Sequence, residues 1–123
     1  LVERNREMAR GQQIELEVKE GFPSAPLGDA GIELLRILQE ALSNARRHSG
    51  ARSVLVSLRA DGDDLVVAEV ADEGRGFDLG TAAGVGLRSM QERANSLDGE
   101  LTIESEPGKG TRVRVQMPMP RRV

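Results

Sequence analysis

The sequence predicts a two-layer α/β sandwich in which helices cover one face of a sheet. Most of the strand-like segments alternate apolar and polar residues, a pattern typical of a sheet with one buried and one exposed face. Two segments with helical spacing each carry a single apolar face, so they are suited to cover the buried side. A doubly wound sheet is disfavoured, because its strands would be apolar on both faces.

The composition fits one domain with an aliphatic core. The chain has 123 residues, 38% of them hydrophobic, with two Phe and no Tyr or Trp. Its net charge of −3 disfavours a nucleic-acid partner, which needs a basic face. With no cysteine and one histidine, His48, a structural zinc site is disfavoured too. No apolar run approaches the roughly 20 residues that cross a bilayer, so we expect no membrane contact by this domain.

The first part of the chain predicts a connector, a strand and a long helix. Residues 1–10 are charged and compatible with a helix, and we interpret them as the end of a connector. Residues 13–19 alternate as a half-buried strand does, and a loop rich in Pro and Gly follows. Asp29 is expected to cap a helix that runs to about Arg47. The apolar face of this helix is predicted to be Leu34, Leu35, Leu38, Ala41, Leu42 and Ala45.

The remainder of the chain predicts two strands, a glycine-rich stretch at residues 72–86, a second helix and two final strands. Turns are expected at residues 61–63 and 106–110. Val54, Val56 and Leu58 share one face of the first of these strands, and Leu65 to Val70 form the second. The second helix has Leu87, Met90, Ala94 and Leu97 on one face. The final strands contain Leu101 and Ile103, and then Thr111, Val113, Val115 and Met117.

Polar residues follow one side of the first helix. Glu40, Asn44 and His48 are spaced i, i+4 and i+8, and Arg47 lies close to the same stripe. An amide oxygen suits Mg²⁺, which keeps most of its other ligands as water and phosphate. Arg47 or His48 would neutralise phosphate charge. The ordinary alternative is a solvated helix face with i,i+4 pairs.

Two glycine-rich motifs lie at the two ends of the stretch at residues 72–86. In DEGRGF, Asp72 at a strand end is suited to accept a hydrogen bond from an exocyclic amine, and the glycines let backbone approach a flat ring. The alternative is a surface turn. Gly84 and Gly86 precede the second helix, whose free N–H groups favour an anion, although a capping glycine has the same pattern. Neither GxxxxGK[ST] nor GxGxxG is present.

The order and spacing of these motifs carry a family resemblance. The segments ILQEALSNARRHSGA, VADEGRGFD, GVGLRSMQERANSLDGEL and ESEPGKGTRVRVQMP resemble the GHKL (Bergerat-fold) ATPase domain of histidine kinases. The similarity covers residues 13–118 and is greatest to NarL/NarX-type sensors. It implies a mixed sheet with helices on one face, and Mg²⁺ and ATP as ligands. It also implies that residues 11–118 form the ATP-binding catalytic domain and residues 119–123 a tail.

The resemblance implies roles for individual residues. Asn44 would coordinate Mg²⁺, and Glu40 would lie near the metal and the γ-phosphate as a base or as a metal organiser. Asp72 would recognise the adenine amino group. The remaining ligand-binding residues would be Arg47 and His48 near the phosphates, Gly74 and Gly76 around the adenine, Gly84, Gly86 and Leu87 at the end of a short lid, and Thr111 in support of the adenine contact.

The implied function is that of a sensor histidine kinase. The γ-phosphoryl would pass to a histidine on a dimerisation domain of the same homodimeric protein, and then to a response regulator. His48 belongs to the nucleotide site, so the acceptor histidine is expected outside these residues, in a longer protein whose kinase domain is cytoplasmic. Two alternatives remain, a GHKL anti-sigma-factor serine kinase and a non-catalytic interaction module that does not bind nucleotide.

Overall fold

The computed structural model describes residues 2–9, 12–23, 28–76 and 86–119, which contain two α-helices and a six-stranded sheet. Within these ranges no helix is long and apolar enough to cross a membrane. The strands are β1 Val2–Ala9, β2 Gln12–Lys19, β3 Ser53–Asp61, β4 Leu65–Asp72, β5 Glu100–Ser105 and β6 Thr111–Pro118, and the helices are α1 Asp29–Asn44 and α2 Leu87–Ser96.

The sheet is mixed, with the strand order β1-β2-β3-β4-β6-β5. Strands β2 and β3 are parallel, because α1 carries the chain back across the sheet between them, and the other neighbouring pairs are antiparallel. Both helices pack on one face. The predicted two-layer α/β (α+β) class and the mixed sheet are confirmed.

The core lies between that face and the helices. Alternate residues of β3, β4 and β6 point into it, as the spacing of β3 and β6 predicts, and so do Met90 and Ala94 of α2. Its buried members are Leu34, Ile37, Ala41, Ala45, Val54, Val56, Val66, Ala68, Val70, Met90, Ala94, Val113, Val115 and Met117.

The opposite face of the sheet is largely charged. Glu69 pairs with Arg59 at 3.7 Å and with Arg112 at 3.0 Å. Val67 is the exception, since it is only 1% exposed although it lies on this face. Its neighbours in the register are Arg59 and Gln116, whose long side chains flank it. Apart from Glu69 and the terminal Asp72, strand β4 is therefore apolar on both faces, unlike β3 and β6.

Helix α1 begins differently from the prediction. Gly28 is its N-cap, with a positive φ of 65°, and no side chain caps the helix. Asp29 lies in the first turn, where its negative charge interacts favourably with the helix dipole although it makes no capping hydrogen bond. The buried face also differs: Ile37 is 0% exposed, although the prediction omitted it, and Leu35 is 54% exposed. Spacings of three and four from Leu34 account for this face.

Helix α1 also ends differently. The α-helix stops at Asn44 and continues as a π-helical turn over Ala45–Ser49, which we call the π turn. It ends at Gly50 in the left-handed conformation. The helix therefore extends past about Arg47 as predicted, but the π form of its last turn was not predicted, because hydrophobic spacing does not distinguish a terminal π turn from α-helix.

The helix-compatible interpretation of residues 1–10 was also wrong. Residues 2–9 form β1, which pairs antiparallel with β2 from Val2 opposite Lys19 to Ala9 opposite Gln12. Pairing with a strand edge overrides the local helix propensity of this charged segment. Its role as a connector remains a prediction.

Candidate functional site

Asp72 and Thr111 meet at one end of the sheet. Asp72 is the last residue of β4, Thr111 is the first of β6, and the two are cross-strand partners. Val70 and Val113, two residues away on the same strands, belong to the core. Because side chains alternate along a strand, Asp72 and Thr111 lie on the face that the helices cover. The structure therefore brings these two predicted site residues together.

Hydrogen bonds orient both side chains. Gly74 N–H donates to Asp72 Oδ1 at 2.8 Å. Ser105 Oγ donates to the Gly110 carbonyl at 3.0 Å and lies 2.8 Å from Thr111 Oγ1. With the Ser105 proton used in this way, the Thr111 hydroxyl donates to Ser105 and keeps its own oxygen as an acceptor. Ser105 was not among the site residues predicted from the sequence. The hairpin spacing that places it opposite Thr111 was the available signal.

The loop after β4 packs closely on the turn before β6. A Cβ at Gly110 would collide with the Asp72 carbonyl oxygen, and one at Gly76 with the Glu106 carbonyl oxygen. Gly108 N–H also donates to the Arg75 carbonyl at 2.6 Å. Gly110 lies in the turn predicted at residues 106–110, where glycine is expected for its positive φ. Its φ is indeed +80°, but the close backbone contact is a second reason for glycine there.

The polar stripe of α1 forms a cluster. Arg47 Nη2 lies 3.4 Å from Asn44 Oδ1 and 3.9 Å from Glu40 Oε1. The arginine side chain is 51% exposed, so this pairing contributes little to stability, roughly 0–1 kcal/mol. His48 lies in the π turn beside Arg47, and its side chain is outside what the structure describes. Glu40, Asn44 and Arg47 are therefore together as predicted.

The start of α2 meets this cluster. Gly86 is the N-cap of α2, with φ of 74°, and a Cβ there would collide with the Glu40 carboxylate. Leu87, the first helical residue, packs against the core. The free N–H groups of the α2 N-terminus therefore lie beside Glu40. Gly84 falls in residues 77–85, outside the described residues.

Arg75 links the two parts of the site. A Cβ at Gly50 would lie 3.1 Å from Arg75 Nη2, so the guanidinium covers the glycine that ends the π turn. Gly50 follows the cluster on α1, and Arg75 follows Asp72 by three residues. The loop after β4 is thus in contact with the segment after α1. No pattern in the amino-acid sequence indicated this contact.

The described residues contain no group of three or more His, Cys, Asp or Glu side chains that could hold a metal ion. A protein cage for a metal is therefore absent from this part of the chain. Asn44, with Glu40 nearby, instead fits a hard cation that takes most of its ligands from water and phosphate.

The fold and this arrangement match a known class. Residues 29–121 match the family described as "Histidine kinase-, DNA gyrase B-, and HSP90-like ATPase", and the chain belongs to this family. Within it, the chain is 44% identical over 93 residues to sensor histidine kinase LiaS of Bacillus subtilis (strain 168), covering 72% of this chain and 26% of LiaS. It is 37% identical over 93 residues to the histidine-protein kinase/phosphatase DegS of the same organism, covering 72% and 24%. The chain thus spans about a quarter of the length of these relatives.

Solved structures show the same fold. The ATP binding domain of PrrB from Mycobacterium tuberculosis superposes with a TM-score of 0.62 at 25% identity, covering 74% of this chain and 70% of that one. The histidine kinase domain from the Erythrobacter litoralis EL346 blue-light activated kinase gives 0.60 at 25% identity, covering 72% and 44%. Full-length ShkA in complex with AMPPNP gives 0.73 at 22% identity, covering 89% and 26%, which concerns the fold alone. The GHKL resemblance is confirmed, and the NarL/NarX subgroup remains a prediction.

Proposed function

We propose that this chain is the catalytic ATP-binding domain of a two-component sensor histidine kinase. It binds Mg·ATP and donates the γ-phosphoryl to a histidine on a separate dimerisation domain of the homodimer, for relay to a response regulator. The observation that carries the proposal is the pairing of Asp72 with Thr111 at the sheet end, on the face that α1 and α2 cover. Family membership and the sensor-kinase relatives support the class.

The sheet end would hold the adenine. The Asp72 carboxylate, oriented by Gly74 N–H, accepts a hydrogen bond from the exocyclic amine. The Thr111 hydroxyl, oriented by Ser105, supports that contact from the next strand. Gly74 and Gly76 leave the ring room to lie against backbone.

The helix ends would hold the triphosphate. Asn44 supplies an amide oxygen to Mg²⁺, which when bound would offset the charge on the phosphoryl group. Arg47 and His48 neutralise phosphate oxygens, and Arg47 exchanges its long contacts with Asn44 and Glu40 for them. Gly86 and Leu87 present backbone N–H groups at the start of α2, and Gly84 is expected to bind the phosphates with them.

The transfer breaks the bond between the γ-phosphorus and the bridging oxygen and forms a bond to an imidazole nitrogen, with ADP as the leaving group. Glu40 lies where it would organise the metal or accept a proton, and both roles are open. Since the acceptor belongs to another domain, this chain positions the nucleotide and the partner domain brings the nucleophile. We place the reaction in the cytoplasm, where ATP and response regulators occur.

Ligand titration separates the two parts of the proposed site. Mg·ATP, ATP with a chelator, and adenosine are titrated calorimetrically into the wild type, Asp72→Asn and Asn44→Ala. Asp72→Asn removes a charge-assisted hydrogen bond to the base, so all three ligands bind about 10- to 100-fold more weakly. Asn44→Ala weakens only Mg·ATP, by about tenfold.

The matched control is Glu73→Gln, an exposed carboxylate next to Asp72, which leaves all three affinities unchanged. A wild type that binds none of the ligands supports the non-catalytic module instead. The acceptor is identified in the kinase that contains this domain, after incubation with γ-labelled ATP. Label on the kinase that is lost in acid indicates phosphohistidine, and acid-stable label on the serine of a partner protein indicates the serine kinase.

A further inference from the structure

Gln12 is a buried polar residue outside the proposed site. It is 7% exposed and is the one polar or charged side chain that is buried in the described part of the chain. It opens β2 in phase with Ile14 and Leu16, which pack against the core. A polar residue thus occupies an apolar position of the strand. An amide buried in this way is destabilising unless it is hydrogen-bonded, so its partners identify its role.

The partners of Gln12 lie at both ends of the π turn. Its Nε2 donates to the Ala51 carbonyl at 2.9 Å and, more weakly, to the Ala45 carbonyl at 3.4 Å. Ala45 is the first residue of the turn, and Ala51 follows the glycine that ends it. One amide group therefore spans the whole turn. The next backbone N–H, of Gln13, donates to the Arg52 carbonyl at 2.8 Å and extends the contact.

Among the described side chains of the π turn, Arg47 holds the turn only weakly. Arg47 is half exposed, and its contacts with Glu40 and Asn44 are long. The path of the π turn is fixed instead by the burial of Ala45, by the contact of Arg75 with Gly50, and by the Gln12 amide. Isolated π-helical turns occur frequently at functional sites, where they change the direction of the side chains that follow.

We propose that Gln12 is a positioning residue for the phosphate end of the nucleotide site. Its amide fixes the π turn, so that Asn44 and Arg47 keep the orientation that a metal-bound triphosphate requires. The proposal rests on the proposed function. Because Gln12 follows β1 and opens β2, the same amide also connects the N-terminal strand pair to this end of the site.

The test is Gln12→Met, which keeps the length of the side chain and removes its donors. We expect Mg·ATP to bind about tenfold more weakly and adenosine to stay within about twofold of the wild type, because only the phosphate end is disturbed. The control is Gln13→Met, on the opposite face of the strand, which retains its backbone hydrogen bond and changes neither affinity. Parallel losses for both ligands, or no loss, overturn the proposal.

Amide hydrogen exchange without nucleotide gives a second readout. In Gln12→Met, exchange in residues 46–49 accelerates about tenfold or more, while exchange in α2 is unchanged. Unchanged exchange in the turn overturns the proposal. If the wild type binds no nucleotide, the proposed function fails, and exchange still decides whether Gln12 fixes the turn. Should Gln12→Met not fold, Gln12→Asn, whose amide is one methylene shorter, is expected to give smaller losses in the same direction, and equal losses for both ligands reject the role.

Discussion

The two ends of the candidate site are built by different means. Asp72 and Thr111 are held in the backbone ladder of two central strands, and Gly110 packs against them without room for a side chain. Asn44 and Arg47 lie instead at a helix end, with exposed and long contacts. A rigid end suits the selection of one flat base. An adjustable end suits phosphates and a metal, whose charge distribution changes during transfer.

The largest effect should come from breaking the rigid end with Gly110→Ala. The new Cβ meets the Asp72 carbonyl oxygen at a residue with positive φ, so strain and overpacking add. We expect a loss of about 3 kcal/mol in the free energy of unfolding, measured by urea denaturation.

Gly108→Ala is the matched control in the same turn. Its φ of +81° equals that of Gly110 within a degree, but no atom lies within 4 Å of the added Cβ. The free energy of unfolding should therefore fall only because alanine is strained at a positive φ, by about 1 kcal/mol. Equal losses for the two variants would show that the close contact with Asp72 contributes nothing.

A smaller effect is expected at the adjustable end from Gly86→Ala. Alanine at this positive φ should lower the free energy of unfolding by about 1–2 kcal/mol. The added Cβ also meets the Glu40 carboxylate, but that group is flexible and can move away. In a double-mutant cycle with Glu40→Ala, about 0.5–1 kcal/mol of the loss should be recovered. An interaction energy of zero from thermal unfolding would mean that the carboxylate moves without resistance.

The smallest effect is expected for Arg47→Met. Its partly exposed pairing with Glu40 at 3.9 Å contributes little, so the free energy of unfolding should change by less than about 0.5 kcal/mol. Affinity for Mg·ATP should nevertheless fall about fivefold, because a cation near the phosphates is lost. A fall in the free energy of unfolding of more than about 1 kcal/mol would show that Arg47 acts mainly in stability and not in binding.

The periodic parts of the fold were predictable from the sequence. Alternation in β3 and β6 and helical spacing in α2 identified the buried faces, because each element has one apolar side. The strand at residues 2–9 was not predicted, because it forms by pairing with the edge of β2 and has no clear strand pattern of its own. Ile37 was omitted from the face of α1 for another reason: several leucines on the same helix offered more than one stripe.

The candidate site was predictable where a motif lies within a single segment. Asp72 and Gly86 stand out because glycine and acidic residues interrupt the apolar pattern next to an element end. Contacts between distant segments had no such signal, as with Arg75 over Gly50. Gln12 is intermediate, because a polar residue in phase with Ile14 and Leu16 was visible, but its partners were not.

The position of β6 between β4 and β5 has a consequence for biosynthesis. The hairpin turn at Gly110 and the strand that carries Thr111 come late in the sequence, yet they complete the pocket around Asp72. In a nascent chain the pocket around Asp72 therefore lacks the side formed by β6 until this strand inserts between β4 and β5. If this pocket binds nucleotide as proposed, binding would coincide with the completion of folding, so ATP would stabilise finished domains and not partial ones.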